Sequence, residues 1–150
     1  MLDYESRLTR PVDEKDPDTP FANLSTHMLW IGERTNKLNE AHLEYFRGIA
    51  NPIGMKVGPK SSPEDIVKTA KILNPNNEIG KLVFILRMGA KNVEEKLPPL
   101  LEEISASGLN IVWAVDPVHG NTYANANKVK VRNVRDVVKE LTEAYRIMTE

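Results

Sequence analysis

The chain has 150 residues, 41% of them apolar, with a formal net charge of −1 and a pI near 6.3. That length suits one packed domain, and so small a charge excludes the broad basic field that draws proteins onto nucleic acid or anionic membranes, so any anion must be held locally. Cysteine is absent, which excludes disulfides, thiolate metal ligands and a thiol nucleophile.

The start Met1-Leu2-Asp3-Tyr4-Glu5 is acidic and has no signal-peptide pattern, and no apolar run approaches the roughly 18 residues of a membrane span. The expectation is a cytoplasmic protein with neither a membrane nor a nucleic-acid partner. Through about Asn23 the chain is polar and carries Pro11, Pro17 and Pro20, so residues 1–26 read as an N-terminal arm or long loop. Residues 27–150 read as the folded domain.

Four short apolar runs follow: Met28 to Ile31, Ile53 to Val57, Leu82 to Leu86 and Ile111 to Val115. Each suits a strand buried on both faces. Helical spacing fills the gaps. Leu38, Ala41, His42, Tyr45, Phe46 and Ile49 make one face. Ser61-Ser62-Pro63-Glu64-Asp65 predicts a helix start with hydroxyl capping, Pro63 in the first turn and acids toward the dipole. Leu97, Leu100, Leu101 and Ile104 predict a third helix that begins regularly at Pro98 and Pro99 and stops at Gly108. The last helix puts Val134, Val137, Val138, Leu141, Tyr145 and Met148 on its apolar side. Strand, helix, four times over, implies an α/β fold with a parallel sheet and right-handed crossovers. A complete eight-unit barrel needs about 250 residues, so the chain has room for about four such units or for a small open sheet.

In parallel α/β folds the functional groups gather just past the carboxyl ends of the strands. That rule selects Glu33 and Arg34 after the first strand, Lys56 and Lys60 at the second, Arg87 after the third, and Asp116 with His119 after the fourth. Convergent Arg and Lys side chains make a local site for a small phosphorylated acid. The competing reading is that these cations pair with Glu33 and Asp116 and merely neutralise the strand ends. Lys56, inside an apolar run, needs a partner or a ligand wherever it points; a Schiff-base role is possible in principle, but anion binding needs no pKa shift. His119 sits in a turn where a neutral imidazole binds a divalent metal or moves a proton. His42 reads as a core or boundary residue, His27 as a loop hydrogen-bonder, and Trp30 and Trp113 as core filler at matching strand positions. No dinucleotide or phosphate-loop fingerprint, zinc spacing or nucleophile elbow is present.

The strand-end segments Trp30-Ile31-Gly32-Glu33-Arg34-Thr35, Met55-Lys56-Val57-Gly58-Pro59, Arg87-Met88-Gly89 and Asp116-Pro117-Val118-His119-Gly120-Asn121-Thr122 resemble, in order, the class II 3-deoxy-arabino-heptulosonate 7-phosphate synthase family. Leu2-Asp3-Tyr4-Glu5 resembles the segment ahead of that family's Gly-Glu-Arg strand. The resemblance implies a TIM-type (β/α)8 barrel that condenses phosphoenolpyruvate with erythrose 4-phosphate at the start of the shikimate pathway of aromatic biosynthesis. It implies that Glu33, Arg34, Lys56 and Arg87 hold phosphoenolpyruvate, and that His119 is a ligand of a divalent metal, manganese or cobalt in the family. The family's remaining metal ligands, a Cys, a Glu and an Asp, have no counterpart here. The expectation is therefore a half-barrel matching the third to sixth units, with an incomplete metal site and weak or no activity alone. Further chains that complete the barrel, a homo-oligomer, or a non-catalytic anion-binding or assembly module are the alternatives.

Overall fold

A computed structural model of the chain describes residues 2–150; Met1, the first residue of the acidic start, lies outside them. The main body is a four-stranded parallel sheet of β3 (Leu29–Ile31), β4 (Ile53–Val57), β5 (Leu82–Leu86) and β6 (Val112–Val115). The strands lie in sequence order, with Leu29 opposite Ile53, Ile53 opposite Leu82, and Phe84 opposite Trp113. Helices α2 (Ala41–Arg47), α3 (Pro63–Leu73), α4 (Val93–Ala106) and α6 (Val134–Thr149) follow the four strands, and each packs on the next. Because every crossover steps one strand in the same direction and keeps one hand, all four helices fall on one face of the sheet.

One covered face corrects the expectation of strands buried on both sides. Leu29, Ile31, Ile53, Met55, Val57, Leu82, Phe84 and Leu86 point under the helices and are buried. Their neighbours alternate outward: Trp30 is 59% and Val112 44% exposed, while Lys56, Val83, Ile85 and Ala114 are half-buried. Period-two side-chain alternation produces this pattern once helices cover a single face. The two tryptophans do not match: Trp30 shares a row with Gly54, Val83 and Val112, whereas Trp113 lies beside Phe84 on the helix side. Trp113 packs edge-on to Phe84 with ring centroids 5.7 Å apart.

The helices also depart from their sequence expectations. In α2 the buried residues are Leu43 and Phe46, and Leu38 and Ile49 lie beyond its ends. In α3 Pro63 occupies the first turn as expected, but the Ser62 hydroxyl makes no capping bond; the Ser62 carbonyl accepts the first intrahelical N–H, that of Ile66. Helix α4 starts at Val93, with Pro98 and Pro99 inside it. The carbonyls those prolines cannot reach belong to Glu94 and Glu95, both exposed residues, so the missing bonds fall on the side of the helix open to solvent. The face of α6 that turns inward carries Glu140 and Ala144, whereas Val134, Val138, Leu141 and Tyr145 are exposed.

The polar first stretch is not a loop throughout. Leu2–Arg7 form α1, and β1 (Thr9–Pro11) pairs antiparallel with β2 (Phe21–Asn23). Asn51 ties β2 to the start of β4 through Asn23, and the Tyr45 hydroxyl on α2 hydrogen-bonds Thr9 at 2.7 Å. Past β6 come the short helix α5 (Pro117–Gly120) and the hairpin of β7 (Thr122–Ala124) and β8 (Lys130–Arg132). Among the described residues no helix is long and apolar enough to cross a membrane.

Candidate active site at the carboxyl end of the sheet

Each sheet strand ends in a segment that carries a charged side chain to the same rim. After β3 the chain turns through a 3-10 helix, Glu33–Thr35. Asn36, next in the chain, donates its side-chain amide to the Lys56 carbonyl at 2.9 Å and so anchors that turn to β4. The backbone ladder continues past the named strands: Arg87 N–H donates to Val57 O at 2.8 Å and Asp116 N–H to Leu86 O at 2.7 Å. Arg87 and Asp116 therefore leave the sheet at fixed heights.

The side chains then pair across the rim. Arg87 forms an ion pair with Glu33, and its other terminal nitrogen donates to the His119 carbonyl at 2.9 Å. Lys56 pairs with Asp116, whose carboxylate also contacts His119 Nδ1 at 2.7 Å and caps α5 by accepting His119 N–H at 3.2 Å. Burial alone would raise the Asp116 pKa, but the Lys56 and His119 donors outweigh it and hold the carboxyl below its usual range. Glu33, Arg87, Lys56, Asp116 and His119 thus form one connected network. The pairing that would neutralise the strand ends is what the structure contains.

Beside that network lies a cleft of about 670 Å³ lined by Glu33, Arg34, Lys60, Ser61, Arg87 and Gly120 among others. Its charged lining is Arg34, Lys37, Lys60 and Arg87 against Glu33 and Asp65, four cations to two carboxylates, so a net positive pocket exists in a chain with no net positive charge. Arg34 is exposed at its mouth. Lys56 and His119 do not line the cleft; they are joined to it through Asp116 and Arg87. The Glu33 carboxylate lies where a Cβ at Gly58 would stand, so a larger residue there would push Glu33 aside from its pairing with Arg87.

One polar residue escaped the sequence reading. Glu140, 1% exposed on the inner face of α6, accepts the Asn121 side-chain amide at 2.7 Å, and the backbone N–H groups of Met88 and Gly89 lie close enough to favour its charged form. Burial raises its pKa above the usual carboxylate range, against the lowering effect of those three donors. The signal available in the sequence was its spacing with Val137, Ala144 and Ile147, a second helical face carrying one acid.

His119 has its Nδ1 occupied by Asp116, the arrangement in which a carboxylate orients an imidazole whose other nitrogen is free to bind. A catalytic divalent ion wants about three protein ligands, and the described residues contain no group of three or more His, Cys, Asp or Glu placed to hold one. The donor set is one oriented histidine and is incomplete for a catalytic metal.

The class-II DAHP synthetase family matches the chain over residues 1–150. Phospho-2-dehydro-3-deoxyheptonate aldolase of Streptomyces coelicolor is 44% identical over 147 residues, covering 98% of this chain and 32% of that protein. The Neurospora crassa protein of the same name is 40% identical over 163 residues, covering 100% of this chain and 34% of its own length. A probable chloroplastic phospho-2-dehydro-3-deoxyheptonate aldolase of Catharanthus roseus is 41% identical over 145 residues, covering 97% of this chain and 29% of its own. The chain spans about a third of the length of the curated relatives it matches. Matched along its whole length, and carrying on one rim the strand-end segments read from its sequence, the chain belongs to the class-II DAHP synthetase family.

Proposed function

We propose that this chain supplies the anion-holding side of a 3-deoxy-7-phosphoheptulonate synthase, an enzyme that condenses phosphoenolpyruvate with erythrose 4-phosphate at the start of the shikimate pathway. The observation that carries the reading is the Glu33–Arg87 and Lys56–Asp116–His119 network bordering a net positive cleft in a member of this family. Arg34 and Arg87 are proposed to fork onto the carboxylate and phosphate of phosphoenolpyruvate, with Lys56 adding a charge. Glu33 orients Arg87 through their ion pair, and the donors of the guanidinium that it and the His119 carbonyl leave unused meet the ligand.

His119 is proposed as one ligand of the divalent metal that the family's chemistry uses, which supplies Lewis-acid polarisation of the aldehyde when bound. The incomplete donor set permits no step through the metal from these residues alone. The same proposal takes the sheet, with its strands in sequence order and helices on one side, as half of a TIM-type barrel whose remaining units lie outside this chain or come from further chains. A cytoplasmic location belongs to it as well. A non-catalytic anion-binding module is not favoured by the match to relatives named as aldolases.

Calorimetric titration of phosphoenolpyruvate into the intact chain tests the reading. Arg87→Ala removes a charge-assisted contact of about 1.5–3 kcal/mol, so affinity falls roughly 10- to 150-fold. No binding to the intact chain overturns the anion site.

A further inference from the structure

We infer that Glu140 is a positioning residue: from helix α6 it clamps the Arg87–Gly89 turn to the Asp116–Asn121 turn and thereby sets the placement of Arg87 against His119. The inference deepens the proposed anion site and rests on that reading for its functional half. Its structural half stands on geometry alone.

The two turns approach without any side chain between them. A Cβ at Gly120 would lie 2.7 Å from the Gly89 nitrogen and 2.9 Å from a Glu140 carboxylate oxygen, so the turns and the carboxylate meet in van der Waals contact. Gly89, at φ +81°, is in the left-handed region, which lets its backbone come this close to Gly120 and to the Glu140 carboxylate. Asn121 completes the clamp: its amide nitrogen donates to Glu140 at 2.7 Å and to the Pro117 carbonyl at 2.7 Å, while its carbonyl oxygen accepts Ala90 N–H at 2.9 Å. Held by one carboxylate oxygen, the Asn121 amide therefore stitches Ala90 to residues 117–121. Arg87 lies in the first of the two turns and His119 in the second, and the Arg87 guanidinium donates to the His119 carbonyl.

No countercharge accounts for the burial of this acid. Glu140 is the only charged residue among the buried polar groups of the described chain, and no Lys or Arg pairs with it. Its second oxygen is buried without a hydrogen-bond partner among the described residues. A buried acid with no cation beside it destabilises the fold unless its contacts compensate. Its one hydrogen bond goes to Asn121, the residue that carries the link from one rim turn to the other.

Amide hydrogen exchange and phosphoenolpyruvate titration on the intact chain test the inference. In Glu140→Ala the Ala90 amide, which Asn121 holds, is expected to exchange at least about tenfold faster while interior β5 amides are unchanged, with phosphoenolpyruvate affinity about tenfold lower per folded molecule. Glu140→Gln keeps an acceptor oxygen in place and is expected to restore both readouts to within about twofold of the starting protein. If Glu140→Ala fails to fold, Glu140→Asp, one methylene short of the turns, is expected to show the same selective loss. Unchanged Ala90 exchange, or exchange that rises only in step with the whole sheet, overturns the inference. Should the starting chain not bind phosphoenolpyruvate at all, the anion-site reading fails, and the exchange result still decides whether Glu140 holds the turns.

Discussion

Gly120→Ala is the sharpest single perturbation of the rim. Its new methyl group would sit 2.7 Å from the Gly89 nitrogen, 2.9 Å from Glu140 Oε2 and 3.1 Å from the Arg87 carbonyl carbon. Two of those three atoms are backbone, and backbone cannot rotate aside. Overpacking of this kind costs about 1–3 kcal/mol. Against it stands the loss of unfolded-state freedom when glycine becomes alanine, which stabilises by about 0.4–1 kcal/mol. The steric term wins over most of that range, and for a chain of this size the net effect is a fall in Tm of up to roughly 10 °C. Gly48→Ala is the control, because a Cβ there meets only the Tyr45 carbonyl at 3.9 Å, and surface changes of that sort stay within about 0.5 kcal/mol. Thermal and urea unfolding followed by circular dichroism compare the two variants. A Gly120→Ala chain as stable as Gly48→Ala would refute the close approach of the two turns, and with it the reason Arg87 and His119 lie together.

The charged groups predict two opposite pH dependences, read as urea midpoints across pH. Asp116 is held below its usual range, so its contribution is present above the unfolded value of about 3.9 and disappears as pH falls through the folded one. Asp116→Asn should flatten the acid limb, and an unaltered limb would contradict the pairing with Lys56. Glu140 is pushed upward, so its contribution is complete below the unfolded value of about 4.3 and declines as pH rises through the folded one. Glu140→Gln should remove that decline, and a variant that follows the same slope would argue against burial as its cause. The faces of α6 make a third contrast: Leu141 is 49% exposed and Ala144 1%, so Leu141→Gln should change stability by about 0.5 kcal/mol or less and Ala144→Gln cost about 1–3 kcal/mol. Equal costs would show that α6 does not pack through Ala144.

Helix faces mark where local pattern stops being informative. Along α6 the expected apolar face divides: Val134, Val138, Leu141 and Tyr145 face outward, Val137 and Met148 are half-buried, and the fully buried positions are Glu140 and Ala144. Periodicity identifies apolar faces but cannot choose between two of them, since the choice depends on which neighbour the helix meets. In α4 the prolines suggested a later start, but their missing N–H groups cost little where the bereft carbonyls belong to the exposed residues Glu94 and Glu95.

Sequence alone determined the alternation of strands and helices, because apolar runs of four or five residues and helical spacing are properties of neighbouring positions. It also determined which rim residues to inspect, because parallel strands deliver their successors to one end, and ordered strand-end segments identified the family. Tertiary structure decided which carboxylate meets which cation, since Lys56 and Asp116 are 60 residues apart in the chain and adjacent only across the sheet. It decided as well that one sheet face is left open and that Glu140 reaches the rim from the last helix. Those facts depend on distances between elements, which no local pattern carries.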